Sequence, residues 1–419
     1  MTTTSLTRRA GGAATIETRH SWVVAGCALG VLSVSFGAPT ITMVALKPIA
    51  DSFGDARTVP SLCYALAWLG SSVGGLAMGQ IAERIGVRWT VMFGAVMIAT
   101  GLALSSIGHR LDLYVGHGLF MGLLGNAGLN APLYVYVSRW FDKRRGSALA
   151  LIASGQAVAG TIWAPLFGQM LERVGWQQTM QVYAVFVVVV IVPVALLVFR
   201  RLPSAQTALG GGVAEPAIGS PILGLKPGTA LGLLSLASFL CCVPMAMPQG
   251  HLVAFCSDLG IPLTQGSAML SVLLACAFAG RQFWGFVADR YGGLRAILAG
   301  SACQAATMIG FLLTQNEAGL FVVSAGFGLG FSGIIPAYVL AIRELFPATE
   351  ASWRVPTLLL CSGSGMAVGG WMAGAIYDFV GFYAAAFAVG IMFNLANLVV
   401  IGALVLRQNR YPSSILARA

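Results

Sequence analysis

The chain has 419 residues, of which 57% are hydrophobic and only 9% charged, and its mean hydropathy is +0.83. Soluble globular domains carry about 25% charged residues, so a soluble enzyme is excluded. Intrinsic disorder, which needs few apolar residues and many charges, is excluded as well. The net charge of +10 would suggest a nucleic-acid partner in a soluble protein. Here no basic stripe is interleaved with aromatics, and the excess fits the Lys/Arg bias of cytoplasmic membrane loops.

Residues 1–21 form a polar tail containing Arg8 and Arg9. The apolar run that follows is too long for a signal h-region, so the tail reads as cytoplasmic rather than cleaved. Six apolar segments follow at 22–46, 58–78, 88–108, 112–137, 146–168 and 179–199. Residues 200–226 hold Gly210, Gly211, Gly212, Pro203, Pro216 and Pro221, a linker by composition. Six more segments lie at 227–249, 264–288, 294–314, 318–341, 353–376 and 382–405, and 406–419 is a second tail. Each run is of helix length, about 20 residues, not the roughly 10-residue alternating strand of a membrane barrel. The expected domains are therefore helical bundles at 22–199 and 227–405.

Threading the chain through these segments puts 19 Lys/Arg on one side and four on the other, namely Lys47, Arg57, Arg110 and Arg173. Both termini are thus expected in the cytoplasm, and the protein in the cell inner membrane as a multi-pass chain. The eight cysteines sit almost wholly in apolar runs, with no CxxC pair and only four His. They read as free thiols, and no metal is expected. No GxxxxGK[ST] loop occurs, and the glycines at 326–330 and 363–370 fit close helix packing better than nucleotide binding. No cofactor is expected.

The halves repeat. Gly79, Glu83, Arg84 and Gly86 match Gly285, Asp289, Arg290 and Gly292 at an offset of 206. The same offset maps Gly168, Glu172, Gly175 and Trp176 onto Gly374, Asp378, Gly381 and Phe382. One register linking two separate motifs implies two six-helix bundles related by duplication, with a site between them near the membrane midplane.

The G-x-x-x-[DE]-R-x-G-x-R pattern from Gly79 to Arg88, with its echo after the eighth segment, resembles the signature of the major facilitator superfamily. The resemblance implies an all-α membrane protein, with twelve transmembrane helices in two pseudo-symmetric six-helix bundles. It also implies that Glu83, Arg84, Arg88, Asp289 and Arg290 hold one gated state. Asn130 to Ala148, leading to Gly155, resembles the helix 4–5 signature of the monocarboxylate transporters, with Phe141, Lys143, Arg144, Arg145, Ala148 and Gly155 in place. Gly280 to Asp289 resembles helix 8 of those transporters and of bacterial oxalate–formate antiporters.

All fourteen acidic residues fall in loops or at segment ends, whereas Arg281 lies well inside the eighth segment. It precedes Asp289, at the cytoplasmic mouth, by eight residues, which places it about 12 Å deep. A guanidinium there costs at least about 2.5–3.5 kcal/mol and needs an anion or a wet cavity. With no carboxylate at that depth, the cargo is expected to bring the negative charge, gripped by the planar fork of Arg. The resemblance agrees, since that family's helix 8 arginine binds the substrate carboxylate. The alternative is an arginine that snorkels or bonds helix carbonyls.

There are departures from the family. Ala277 stands where proton-coupled monocarboxylate carriers place an Asp, and Pro39-Thr40 where they carry a Lys after the proline. Cys361 or Ser362 stands where the oxalate carriers have a second cation. One cation favours a monoanion, and no membrane carboxylate offers a proton relay. His117 and His251 are the remaining titratable candidates, each more simply read as a packed core residue. Gln282, Thr40, Asn126, Asn130, Gln156 and its repeat mate Ser362 are candidate hydrogen-bonding residues for the substrate, and Tyr134 and Phe331 are candidate walls.

The expected function is secondary transport of small organic anions, most simply monocarboxylates, by alternating access with Arg281 as the anchor. The alternative is an exporter of amphipathic drugs or other non-anionic molecules. An enzyme is not expected, because no nucleophile, metal cluster or acid/base pair lies at depth. The expected partners are the anion, the bilayer and either a proton or a counter-anion, and the chain is expected to be a monomer.

Overall fold

The computed structural model describes residues 17–141, 144–199 and 221–410. The expected tails and linker fall largely on 1–16, 200–220 and 411–419, outside the described residues. The described residues are helical almost throughout. The one extended feature among them is an isolated bridge between Ile222 and Leu225.

The first half holds α1 (Arg19–Val44), α2 (Thr58–Ile85), α3 (Val87–Ser105), α4 (110–138), α5 (145–174) and α6 (176–198). The second holds α7 (Pro227–Asp258), α8 (Leu263–Tyr291), α9 (Gly293–Leu313), α10 (Glu317–Leu345), α11 (Ala348–Val380) and α12 (Tyr383–Arg410). Ten described helices are long and apolar enough to cross a membrane. One of them, Ser147–Val198, is α5 and α6 joined across Gly175, whose φ of 78° and ψ of 172° are not helical. α4 is a further span, divided by a π-helical stretch at Gly116–Asn126. Splitting the first and adding the second gives the twelve helices of the fold.

The duplication is visible in the backbone. Gly86 and Gly292, at the turns after α2 and α8, have φ of 93° and 85°, and Gly175 and Gly381 have 78° and 86°. Gly54 and Gly260, a third pair at the same offset, have 76° and 77°. A side chain is disfavoured at such φ, so glycine recurs wherever the repeated chain makes the same turn.

Three helices are interrupted within the membrane-spanning length. α4 carries the π-helical stretch, α5 breaks at Ser154, and α10 breaks at Ser332 and Gly333. Non-helical backbone at membrane depth is tolerated where it is buried in protein or lines a cavity. Here the breaks of α5 and α10 both lie beside α8. The two halves meet chiefly where α2 packs on α11 and α5 packs on α8.

Candidate functional site

A small central cavity of about 50 Å³ lies between the halves. Its walls are Phe36, Pro39, Thr40 and Met43 of α1, Ala67, Trp68 and Ser71 of α2, and Asn126 and Asn130 of α4. Gln156 of α5, Gln249 of α7 and Leu274 of α8 complete it. Four of the expected substrate residues, Thr40, Asn126, Asn130 and Gln156, thus converge from three helices. None of the lining residues is charged.

The polar atoms here are only partly occupied. Ser35 donates to the Asn126 side-chain oxygen at 2.5 Å, leaving the amide nitrogen of Asn126 free to donate. Thr40 donates back to the Phe36 carbonyl at 2.8 Å, a common bond for a hydroxyl inside a helix. The Gln156 amide reaches the Gln249 oxygen across the halves at 3.5 Å, the outer limit of a hydrogen bond.

Gln249 is a cavity residue that sequence reasoning missed. The expected seventh segment, 227–249, stops there, but α7 continues through Pro244 and Pro248 to Asp258. That extension moves Gln249 about 13 Å in from the helix end. The repeat offset carried a signal, since it maps Gln249 onto Met43 and Leu274 onto Trp68, and all four line the cavity.

Arg281 does not line this cavity. Its Nε donates to the Ser332 carbonyl at 3.4 Å and its Nη1 donates to the Ala153 carbonyl. Both acceptors sit at helix breaks, where interruption of the ladder leaves carbonyls available. The guanidinium therefore bridges α5 of one half to α10 of the other, beside Tyr134 of α4. Among the described residues no carboxylate lies within ion-pair reach of it.

The remaining candidates lie elsewhere. Gln282 is exposed beside Phe283, on the outer surface of α8. Ser362 is hydrogen-bonded to Ser238 of α7 and donates to the Leu358 carbonyl at 3.1 Å. Phe331 packs on Phe327 with ring centroids 5.2 Å apart, at the α10 break. His117 is held by Thr42 at 2.7 Å, Ser105 at 3.1 Å and the Leu113 carbonyl at 2.9 Å, all within the first half.

The two ends of the bundle differ. Call the end bearing Arg19 and Arg410 the terminal face. At the opposite face the halves are tied together. Asp378 of α11 accepts the backbone N–H groups of Arg57 and Thr58, each at 2.8 Å, and the Thr58 hydroxyl as well. A carboxylate at the start of α2 satisfies orphan N–H groups and meets the positive end of the helix dipole. The Arg57 side chain donates to Asp258 of α7 at 2.5 Å, and Lys47 lies 3.3 Å from the same carboxylate. The guanidinium sits 3.7 Å from the Tyr377 ring centroid and 5.1 Å from that of Tyr383. Burial works against its charge, but the bond to Asp258 and the neighbouring tyrosine hydroxyl prevail, so Arg57 holds its proton more tightly than usual. His251 is buried beside this cluster, 3.0 Å from the Tyr383 hydroxyl and 2.8 Å from the Gly370 carbonyl.

At the terminal face the charges stay within their own halves. Arg139 pairs with Glu83 at 2.9 Å, both in the first half. Glu344 of α10 accepts the Gly293 N–H at 2.9 Å, both in the second. Arg88 lies over Trp89 and Arg290 over Tyr291. Arg84, Arg88, Asp289 and Arg290 make no ion pair among the described residues.

Two pseudo-symmetric six-helix halves around one uncharged cavity are the architecture of a membrane carrier. The chain belongs to the Major Facilitator Superfamily, whose family model matches residues 27–254 and 234–418. That family is one of membrane transporters and not of enzymes. The chain is 26% identical over 290 residues to the MFS-type transporter pynF of Aspergillus niger, covering 67% of this chain and 65% of that one. It is 27% identical over 375 residues to monocarboxylate transporter 13 of Rattus norvegicus, covering 88% of this chain and 83% of that one. A bacterial homologue of the human lysosomal transporter Spinster, solved inward-facing and unoccupied, has the same fold, with a TM-score of 0.70 at 15% identity over 93% of this chain and 96% of that one.

Proposed function

We propose that this protein is a secondary transporter of organic anions, monocarboxylates in the first place, working by alternating access. The observation that carries the reading is Arg281, a guanidinium at membrane depth that touches both halves and whose hydrogen-bond acceptors, among the described residues, are carbonyls. A carbonyl carries a partial charge, and a carboxylate accepting the same fork carries a full one and bonds about twice as strongly. An arriving carboxylate displaces the Ala153 and Ser332 oxygens and takes their place. The likeness to a monocarboxylate transporter over most of the chain supports the same cargo class. The carboxamides of Asn126, Asn130 and Gln156 and the Thr40 hydroxyl supply the neutral part of the site.

In this reading the terminal face is cytoplasmic, as the Lys/Arg bias requires, and the membrane is the cell inner membrane. The cross-half contacts of Arg57, Asp258 and Asp378 then close the external side, and the motif charges from Glu83 to Arg88 and at Asp289 and Arg290 regroup when the cytoplasmic side closes. The test is uptake into proteoliposomes of labelled lactate, pyruvate, formate, oxalate and a long-chain acid, with and without a pH gradient or a preloaded counter-anion. Saturable uptake that Arg281→Gln abolishes is expected. Uptake of none of them by folded protein refutes the reading.

One observation favours a second reading. The cavity itself is uncharged, which suits a neutral amphipathic cargo. Export of such a molecule would survive Arg281→Gln.

A further inference from the structure

The spacing between Arg281 and the carboxamides sets the shape of the cargo. The guanidinium is anchored at Ala153 of α5 and lies beside Tyr134 of α4. Gln156 follows Ala153 by three residues, and Asn130 precedes Tyr134 by four. At 1.5 Å of rise per residue the first carboxamides stand about 5–6 Å along the bundle axis from the cation, and Asn126 stands about one further turn on. The polar cavity therefore begins one helical turn beyond the charge.

Those carboxamides have bonding capacity to spare. Asn130 makes no hydrogen bond within the protein among the described residues. Gln249 is 3% exposed, and its one side-chain hydrogen bond among the described residues is the 3.5 Å approach of Gln156. Buried polar groups are normally satisfied by protein or by water, so these are open positions for a ligand. The rest of the cavity wall is largely apolar, with Phe36 and Trp68 among its lining residues.

We propose that the cargo is a two-ended acid. Its carboxylate binds Arg281, and a hydroxyl, carbonyl or amide group at its other end bonds Asn130, Gln156 and Gln249. The inference rests on the anion reading above and adds the length and the second polar group. In lactate the hydroxyl is one carbon from the carboxyl, about 3 Å away, too short to reach both. A chain with the second group about 7 Å from the carboxyl, such as 6-hydroxyhexanoate, spans the gap.

The experiment compares binding of lactate, hexanoate, 6-hydroxyhexanoate and the neutral 6-hydroxyhexanamide to the full chain in lipid nanodiscs, read by tryptophan fluorescence. 6-Hydroxyhexanoate is expected to bind about tenfold more tightly than hexanoate, the yield of one good hydrogen bond. Gln249→Leu is expected to bring the affinity for 6-hydroxyhexanoate down to that for hexanoate measured in the same variant, and Asn130→Leu serves if the first variant does not fold. Arg281→Gln is expected to abolish binding of both acids. Equal affinity for the two acids overturns the two-ended cargo and leaves the anion reading standing. Binding of the neutral amide as tight as the acid, insensitive to Arg281→Gln, overturns both. A preference that survives both carboxamide variants, or binding of none of the probes, also overturns the two-ended cargo.

Discussion

Replacing Arg57 by Ala should open the face opposite the termini. Its side chain is 5% exposed and Asp258 is 21% exposed, at 2.5 Å. Removing one member of a buried pair costs about 3–5 kcal/mol, mostly through the stranded charge. Three features bear on that figure here. Asp258 keeps Lys47 at 3.3 Å, and it retains some water. The Arg57 Nη1 already lacks a partner, so the substitution also relieves an unmet donor. Against this, the cation–π contact with Tyr377 is lost, worth about 0.5–2 kcal/mol. The net is about 2–3 kcal/mol against the closed face, or about 30- to 150-fold in the open-to-closed ratio. The backbone bonds of Arg57 and Thr58 to Asp378 survive, so the helix start stays capped. The assay is a cysteine at Ser71, on the cavity wall, in a background without the native thiols. It is labelled by an impermeant maleimide in vesicles that present the Arg57 face. Labelling should accelerate by the same factor in Arg57→Ala and stay within a few-fold of the parent in Arg57→Lys. An unchanged rate in Arg57→Ala protein that is monodisperse and folded refutes the claim that this cluster closes the face.

Other expectations follow from single contacts. Asp378→Asn leaves the α2 start with a neutral acceptor in place of a carboxylate, which costs about 1 kcal/mol, so the same labelling should rise about fivefold. Arg281→Lys keeps the charge but loses the two-pronged fork; uptake of acids should fall about tenfold, against abolition in Arg281→Gln, as measured in proteoliposomes. A Cβ on Gly280 would stand 2.7 Å from the Leu329 carbonyl and 2.9 Å from its Cα, so Gly280→Ala should force α8 from α10 at a cost of about 1–3 kcal/mol, seen as a fall of several degrees in Tm. Glu83→Gln breaks a pair whose side chains are 59% and 41% exposed, and should change stability by less than about 1 kcal/mol; a larger loss of Tm would mean the pair does more than anchor a loop.

The amino-acid sequence by itself determined the membrane, the twelve spans and the duplication. Hydropathy is a local property that any 20-residue window declares, and the glycines of a repeated turn are demanded by backbone geometry wherever the turn recurs, as at Gly86 and Gly292. It also singled out Arg281, because a charge in an apolar run is conspicuous without any neighbours. Only the tertiary structure decided what Arg281 touches, since the carbonyls of Ala153 and Ser332 become acceptors through helix breaks that residue type does not announce. It alone paired Arg57 with Asp258 and Asp378, which lie 201 and 321 residues away along the chain, because such contacts depend on how one half is set against the other. Gln249 entered the cavity for the same reason. Its side chain reads as the end of an apolar run until α7, having passed through Pro244 and Pro248, is seen to continue beyond it to Asp258.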